Sequence, residues 1–216
     1  MENTKGYSKK LKKKLLVFLF IIKHLLMSDY VKCKGEFMII GTQEEVLKLA
    51  TNQKRFVGPK YDVTGAIACV CLEDFAKQNF RNPNSYVTGI DENGNERTFK
   101  CGSQCKWLWN GSYNNPKSWR SVICDMFNVT NLKNLYVLCV FFTDGVICDG
   151  NPFIGGTQDV GEDIFETAVR ELNEEVGLKM SSYDNICKVP TIKNKYIWAV
   201  EAKYAYDSGA NPITIR

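Results

Sequence analysis

No apolar stretch in this chain is long enough to cross a bilayer. The nearest approach lies in residues 9–26, where the basic run Lys9-Lys-Leu-Lys-Lys-Lys precedes eight apolar residues, Leu15 to Ile22, before Lys23 and His24 interrupt it; a spanning helix needs about 20. The small-x-small site that would end a secretory signal is also missing. Three readings of residues 1–26 stay open: a peripheral membrane anchor, an atypical secretory signal, or an extension ahead of a chain that begins at Met27-Ser-Asp-Tyr. The last, with a cytoplasmic protein, is the expectation. A broad basic surface is lacking too. The net charge of +4 comes from residues 1–26, whose seven lysines and one acid give +6, while the other 21 bases and 23 acids give −2. Nucleic-acid binding through overall charge is therefore not predicted. Nine cysteines, odd in number and scattered, do not form the pattern of a disulfide framework. Cys69, Cys71 and Cys139 sit in apolar runs where a thiol acts as a small hydrophobe. Cys69-Val-Cys71 with Cys101-Gly-Ser-Gln-Cys105 could hold zinc through four thiolates, at a spacing that is not a standard knuckle. The sequons Asn110-Gly-Ser and Asn128-Val-Thr bear only on a secreted protein. No repeat is present, and 216 residues suffice for one sizeable core with at most a small second unit.

What is present is concentrated between residues 156 and 178. Phe165, Ala168, Val169, Leu172 and Val176 recur at helical spacing and predict an amphipathic helix over 163–176. Asp163-Ile-Phe-Glu166 can form a capping box at its start, and Gly177 can take the left-handed conformation at its end. The other face holds Glu171, Glu174 and Glu175. Like charges three and four residues apart cost about 0.2–0.5 kcal/mol per pair, and negative charge near a helix C-terminus is disfavoured further. A hard divalent cation relieves both costs, and magnesium suits carboxylates together with substrate phosphates. The alternative is a solvated acidic face. Gly155, Gly156 and Gly161 in the preceding loop permit sharp turns or close approach of a ligand.

The segment 156–178 resembles the signature of Nudix hydrolases, G-x5-E-x7-R-E-U-x-E-E-x-G-U with U aliphatic, through Gly156, Glu162, Arg170, Glu171, Leu172, Glu174, Glu175, Gly177 and Leu178. The resemblance implies an α/β protein with a Nudix-type α/β/α sandwich around a mixed sheet. It also implies Mg²⁺- or Mn²⁺-dependent hydrolysis of a diphosphate linkage in a nucleoside diphosphate derivative. By the family pattern, Glu171, Glu174 and Glu175 would bind metal, and Glu171 could help to activate water. Arg170 would orient a neighbouring glutamate. Glu162 would hold the loop or add to the metal site. Gly155 and Gly156 would lie against the substrate. The chemistry agrees, since attack on a phosphorus needs neutralised oxygens, an aligned leaving group and an activated water. Substrates left open include small nucleotide derivatives and capped RNA, the latter making the enzyme a decapping one. A non-catalytic nucleotide-binding module of the same fold is the alternative from another class.

The chain departs from the family pattern in two places. Phe153-Ile154 stands where many relatives have a proline before the glycines. Only 38 residues follow Leu178, with strands expected over 186–192 and 196–206, so the usual C-terminal helix has no evident counterpart. Glu201 and Asp207 are candidates for a further carboxylate, Glu201 also reading as an outward residue on a strand. Upstream, strands are expected over 65–72, 136–142 and 146–148, with a tight turn at Thr143-Asp-Gly145, and a short helix over 44–51. The organisation expected is an extension at 1–26, an N-terminal part at 27–134 and a Nudix core at 135–216. Residues 78–118, rich in Asn, Gly and Ser, read as a long insertion or irregular subdomain. Within it, Lys106-Trp-Leu-Trp109 and Pro116-Lys-Ser-Trp119-Arg120 either fill core or stack a nucleobase, with Trp107 and Trp109 as the stacking candidates.

Overall fold

The computed structural model describes residues 33–51, 64–78, 85–100, 118–143, 148–149, 153–191 and 194–209. Along them run β1 (Lys34–Gly41), α1 (Gln43–Thr51), β2 (Thr64–Cys71), α2 (Leu72–Lys77), β3 (Tyr86–Asp91), β4 (Glu96–Lys100), α3 (Trp119–Phe127), β5 (Tyr136–Thr143), β6 (Cys148–Asp149) and β7 (Ile154–Thr157). There follow α4 (Ile164–Val176), β8 (Leu178–Met180), β9 (Cys187–Val189), β10 (Lys195–Glu201), a 3-10 turn (Ala202–Tyr204) and β11 (Ala205–Asp207). The protein is mixed α/β.

Its central strands are apolar on both sides, as strands covered twice must be. In β1, Phe37 and Ile39 join one core and Met38 and Ile40 the other; β2 divides Ile67 and Cys69 from Ala68 and Val70; β5 divides Leu138 and Val140 from Val137 and Cys139. This period of two sorts side chains to opposite faces. The face of Phe37 and Ile39 is closed by Val46 and Leu49 of α1 and Ala168, Leu172 and Val176 of α4, that of Met38 and Ile40 by Leu72 and Phe75 of α2 and Trp119 and Ile123 of α3. Burying each large apolar side chain contributes about 1.5–3 kcal/mol.

The strand order is β4-β3-β2-β5-β1-β10-β9, with β6 beside β5 and β7 beside β1. β1 and β10 are parallel, Lys34 facing Lys195 and Ile40 facing Glu201, and the sheet is therefore mixed. The other side of β1 is shared. Its first half pairs with β7, Gly35 facing Gly156 and Glu36 facing Gly155, and its end pairs with β5. This branching brings the loop before α4 onto the sheet.

Several expectations need correction. The stretch 78–118 contains the β3–β4 hairpin, which extends the sheet rather than standing apart. Its turn is organised by Asp91, whose carboxylate accepts the Asn93 and Asn95 backbone N–H groups at 2.9 and 2.8 Å and pairs with Arg97 at 2.5 Å. Trp119 fills core, as one of the two readings of its segment has it: it is buried at the start of α3, whose N-cap Ser118 accepts the Ser121 N–H at 3.3 Å. The strand expected over 196–206 breaks at Ala202, because that residue is buried and β11 turns away to pair with β8. The strand expected over 186–192 is shorter, at Cys187–Val189. β1 and β2 share the sheet with β5 and β10, so residues 27–134 and 135–216 both supply central strands. The turn at Asp144-Gly145 lies outside the described residues. Among the described residues no helix is long and apolar enough to cross a membrane.

Candidate active site

α4 is fixed at both ends by local chemistry. Asp163 is its N-cap and accepts the Phe165 N–H at 2.8 Å, while the Glu166 carboxylate accepts the Asp163 N–H at 3.1 Å, completing the box. Gly177 closes the helix at φ 64°. Its apolar stripe lies directly on β1: a Cβ at Gly35 would run into the Ile164 carbonyl oxygen. Phe165 packs edge-on to Phe37, Tyr183 and Trp198, at centroid distances of 5.6, 5.2 and 5.1 Å. The helix therefore cannot slide or rotate without breaking its packing, and its polar face is held over β7.

On that face Arg170 is the hub. Its Nε and Nη2 donate to the two oxygens of Glu162 at 2.9 and 3.1 Å, and Nη1 donates to Glu171 Oε1 at 2.8 Å and Glu174 Oε2 at 2.9 Å. Nη2 also reaches the Thr157 carbonyl at 3.2 Å. Glu162 accepts further from the Thr167 hydroxyl at 2.8 Å and the Asp159 N–H at 3.2 Å. The Arg170 hydrogen bonds hold the Glu162 carboxyl below its ordinary range, and the same bonds raise the guanidinium's affinity for its proton. Glu162 thus ties the loop to the helix.

Glu171 and Glu175 are placed differently. The Glu171 carboxylate is pressed against Gly156, where any Cβ would collide with it. Burial pushes its pKa up, against the pull of Arg170. Glu175 turns to the edge of β7 and accepts the Gly155 N–H at 2.9 Å. Loss of water around its carboxylate, then the charge of Glu171, then that of Glu36, raise it to about 8. Glu36, fully buried on β1 opposite Gly155, is paired with Lys195 Nζ at 3.0 Å. A side chain at Gly155 would strike Glu36, so each glycine makes room for one glutamate.

The structure therefore brings Gly155, Gly156, Glu162, Arg170, Glu171, Glu174 and Glu175 together on one loop and helix. Arg170 joins three of the glutamates, and Glu175 stands apart on the β7 backbone. Trp107 and Trp109 lie outside the described residues, as do Cys101 and Cys105. Cys69 is buried, its thiol pushed up to about 12 by burial. Glu201, a candidate for a further carboxylate, faces Ile40 about 13 Å along β1 from Glu36, and is paired with Lys203 and Asn185. Asp207 sits on β11 opposite Leu178. Glu36 is a buried carboxylate beside Gly155 that sequence reasoning missed, and its signal was a single acid at the head of the apolar run Phe37-Met-Ile-Ile40. Among the described residues no three His, Cys, Asp or Glu side chains are gathered as a ready metal ligand set. None of the family models, curated proteins and solved structures compared with the chain matches it.

Proposed function

We propose that the chain is a Nudix-type hydrolase that cleaves the diphosphate linkage of a nucleoside diphosphate derivative with Mg²⁺ or Mn²⁺. The observation that carries the reading is the crowding of Glu171 and Glu175 against Gly155 and Gly156, with Glu36 behind them. Carboxylates forced together in poorly hydrated surroundings are unfavourable until a cation joins them. The donor set fits such an ion, being oxygen only and acidic in excess of Arg170 and Lys195. Helices on both faces of a mixed sheet agree with a Nudix-type sandwich, in which α3, from the first half of the chain, takes part in covering one face.

Glu171, Glu174 and Glu175 would hold the ion, which when bound neutralises phosphate oxygens and lowers the pKa of water. Arg170 holds one oxygen each of Glu171 and Glu174, so it sets where both carboxylates point. Glu162 orients Arg170. Glu171, being close to Gly156 and buried, is the group suited to hold the attacking water's proton. The partner is a nucleotide-derived small molecule or capped RNA. The occupation of Glu162, Glu171 and Glu174 by Arg170 favours a second reading, a module that binds a nucleotide without hydrolysing it.

Purified protein incubated with nucleoside triphosphates, ADP-ribose, diadenosine polyphosphates and capped RNA separates the two. Phosphorylated product formed only with Mg²⁺ or Mn²⁺, and lost in Glu175→Gln, is the expected result. Binding without turnover of any member would replace the hydrolase by the module.

A further inference from the structure

Strand β7 has little of its own to hold it to the sheet. Ile154 is buried, but Gly155 and Gly156 have no side chain to pack. Among the described residues the strand pairs with β1 alone. Its neighbours' side chains hold it instead. From α4, Glu171 presses on Gly156 and Glu175 accepts the Gly155 N–H at 2.9 Å. From β1, Glu36 lies against Gly155, where an added Cβ would fall 2.6 Å from its Cγ. Glu36 shares a side of β1 with Met38 and Ile40, opposite to the side that α4 covers, so the two glycines lie between carboxylates.

Glu36 is itself held from the next strand. Its carboxylate is fully buried and paired with Lys195 Nζ at 3.0 Å, across the parallel seam of β1 and β10. A buried ion pair adds little stability, because removing two charges from water offsets their attraction, and apolar residues of similar volume often serve as well. What such a pair supplies is direction, since a charge-assisted hydrogen bond fixes where a side chain points. Here it directs the side chain that fills the space left by the missing Gly155 Cβ. Lys195, Glu36, Gly155 and Glu175 form one row of contacts, from β10 across β1 and β7 to α4.

Resting on the hydrolase reading above, we infer that Glu36 and Lys195 are positioning residues for the cation site: they hold the Gly155-Gly156 backbone in the place from which it sets the Glu171 and Glu175 carboxylates. They act through the β7 backbone, and contact with the ion is left to α4.

The test reads hydrogen exchange of residues 153–157 in the metal-free full chain and, separately, Mn²⁺ binding by electron paramagnetic resonance. The first readout needs neither cation nor turnover. Glu36→Ala is expected to lose protection over 153–157 and to weaken Mn²⁺ binding about 10- to 100-fold. Glu36→Gln fills the same space and can still accept from Lys195, so it should restore both readouts to within a fewfold of native. Glu36→Gln joined with Lys195→Met keeps the volume and removes both charges; it is expected to fold, and to lose protection and Mn²⁺ affinity as Glu36→Ala does. Val87→Ala, a core truncation on β3 with β2 and β5 between it and β1, should lower the melting midpoint and move neither readout. Native protection or native Mn²⁺ affinity in both Glu36→Ala and the double variant overturns the inference, and so does an equal loss in Val87→Ala. Protection that depends on Glu36 in a native chain that binds no Mn²⁺ overturns the hydrolase reading alone, and leaves Glu36 and Lys195 as the residues that hold β7.

Discussion

Glu162 and Glu175 belong to one loop-helix element and have opposite electrostatic fates. Glu162 receives two bonds from Arg170, one from Thr167 and one from a backbone N–H, and its carboxyl is held below the ordinary range. Glu175 receives one backbone N–H and faces the charges of Glu171 and Glu36, which with burial raise it to about 8. The Glu162 end is satisfied by the protein itself. The Glu175 end is not, and a folded protein retains such unfavourable charge most often where it is used.

Removing Glu175 should show the difference most strongly. Glu175→Gln keeps a group able to accept the Gly155 N–H, yet should lower kcat by about 10²- to 10³-fold while leaving the metal-free melting midpoint at pH 8 unchanged or raised. A lowered midpoint with activity intact would make Glu175 structural. Gly156→Ala comes next: its Cβ must displace the Glu171 carboxylate, with an expected loss of about 10- to 100-fold in turnover. Glu162→Gln should instead destabilise, by about 1–3 kcal/mol in urea unfolding, because Arg170 loses its principal partner. Equal stabilities of the Glu162 and Glu175 variants would break the contrast.

The smallest effect is the pH dependence. Glu175 binds its proton more tightly folded than unfolded, so metal-free stability should fall as pH rises from about 4.5 to about 8 and level off above that. Glu162 acts in reverse. Its contribution is complete above the ordinary carboxylate range and is lost as pH falls through its lowered value. Midpoints measured across pH 4–9 for native protein and Glu175→Gln should differ in slope only between these limits.

How far the sequence disclosed this arrangement depended on how local each determinant is. The capping box, the Gly177 stop and the stripe of Ala168, Leu172 and Val176 are all properties of a single helix, and they could be read directly. β2 and β5 were legible because their apolar runs are long. Glu36 could not be placed, because its role depends on β1 lying between β7 and β10, a pairing made across more than a hundred residues. The β3–β4 hairpin was hidden by a composition that reads as loop, although Asp91 and Gly94 make an ordered turn there. The break at Ala202 was invisible for a similar reason, since it follows from the pairing of β11 with β8.

The most direct test of the account is a titration of Mn²⁺ against the melting midpoint at pH 8, with native protein, Glu175→Gln and Glu162→Gln. Cation binding to the folded state alone should stabilise the native chain by about 2.7 kcal/mol at a hundred times Kd. The account predicts that this gain is lost in Glu175→Gln and kept in Glu162→Gln, from a lower starting midpoint. An equal gain in native protein and Glu175→Gln, or no gain in the folded native chain, would contradict it.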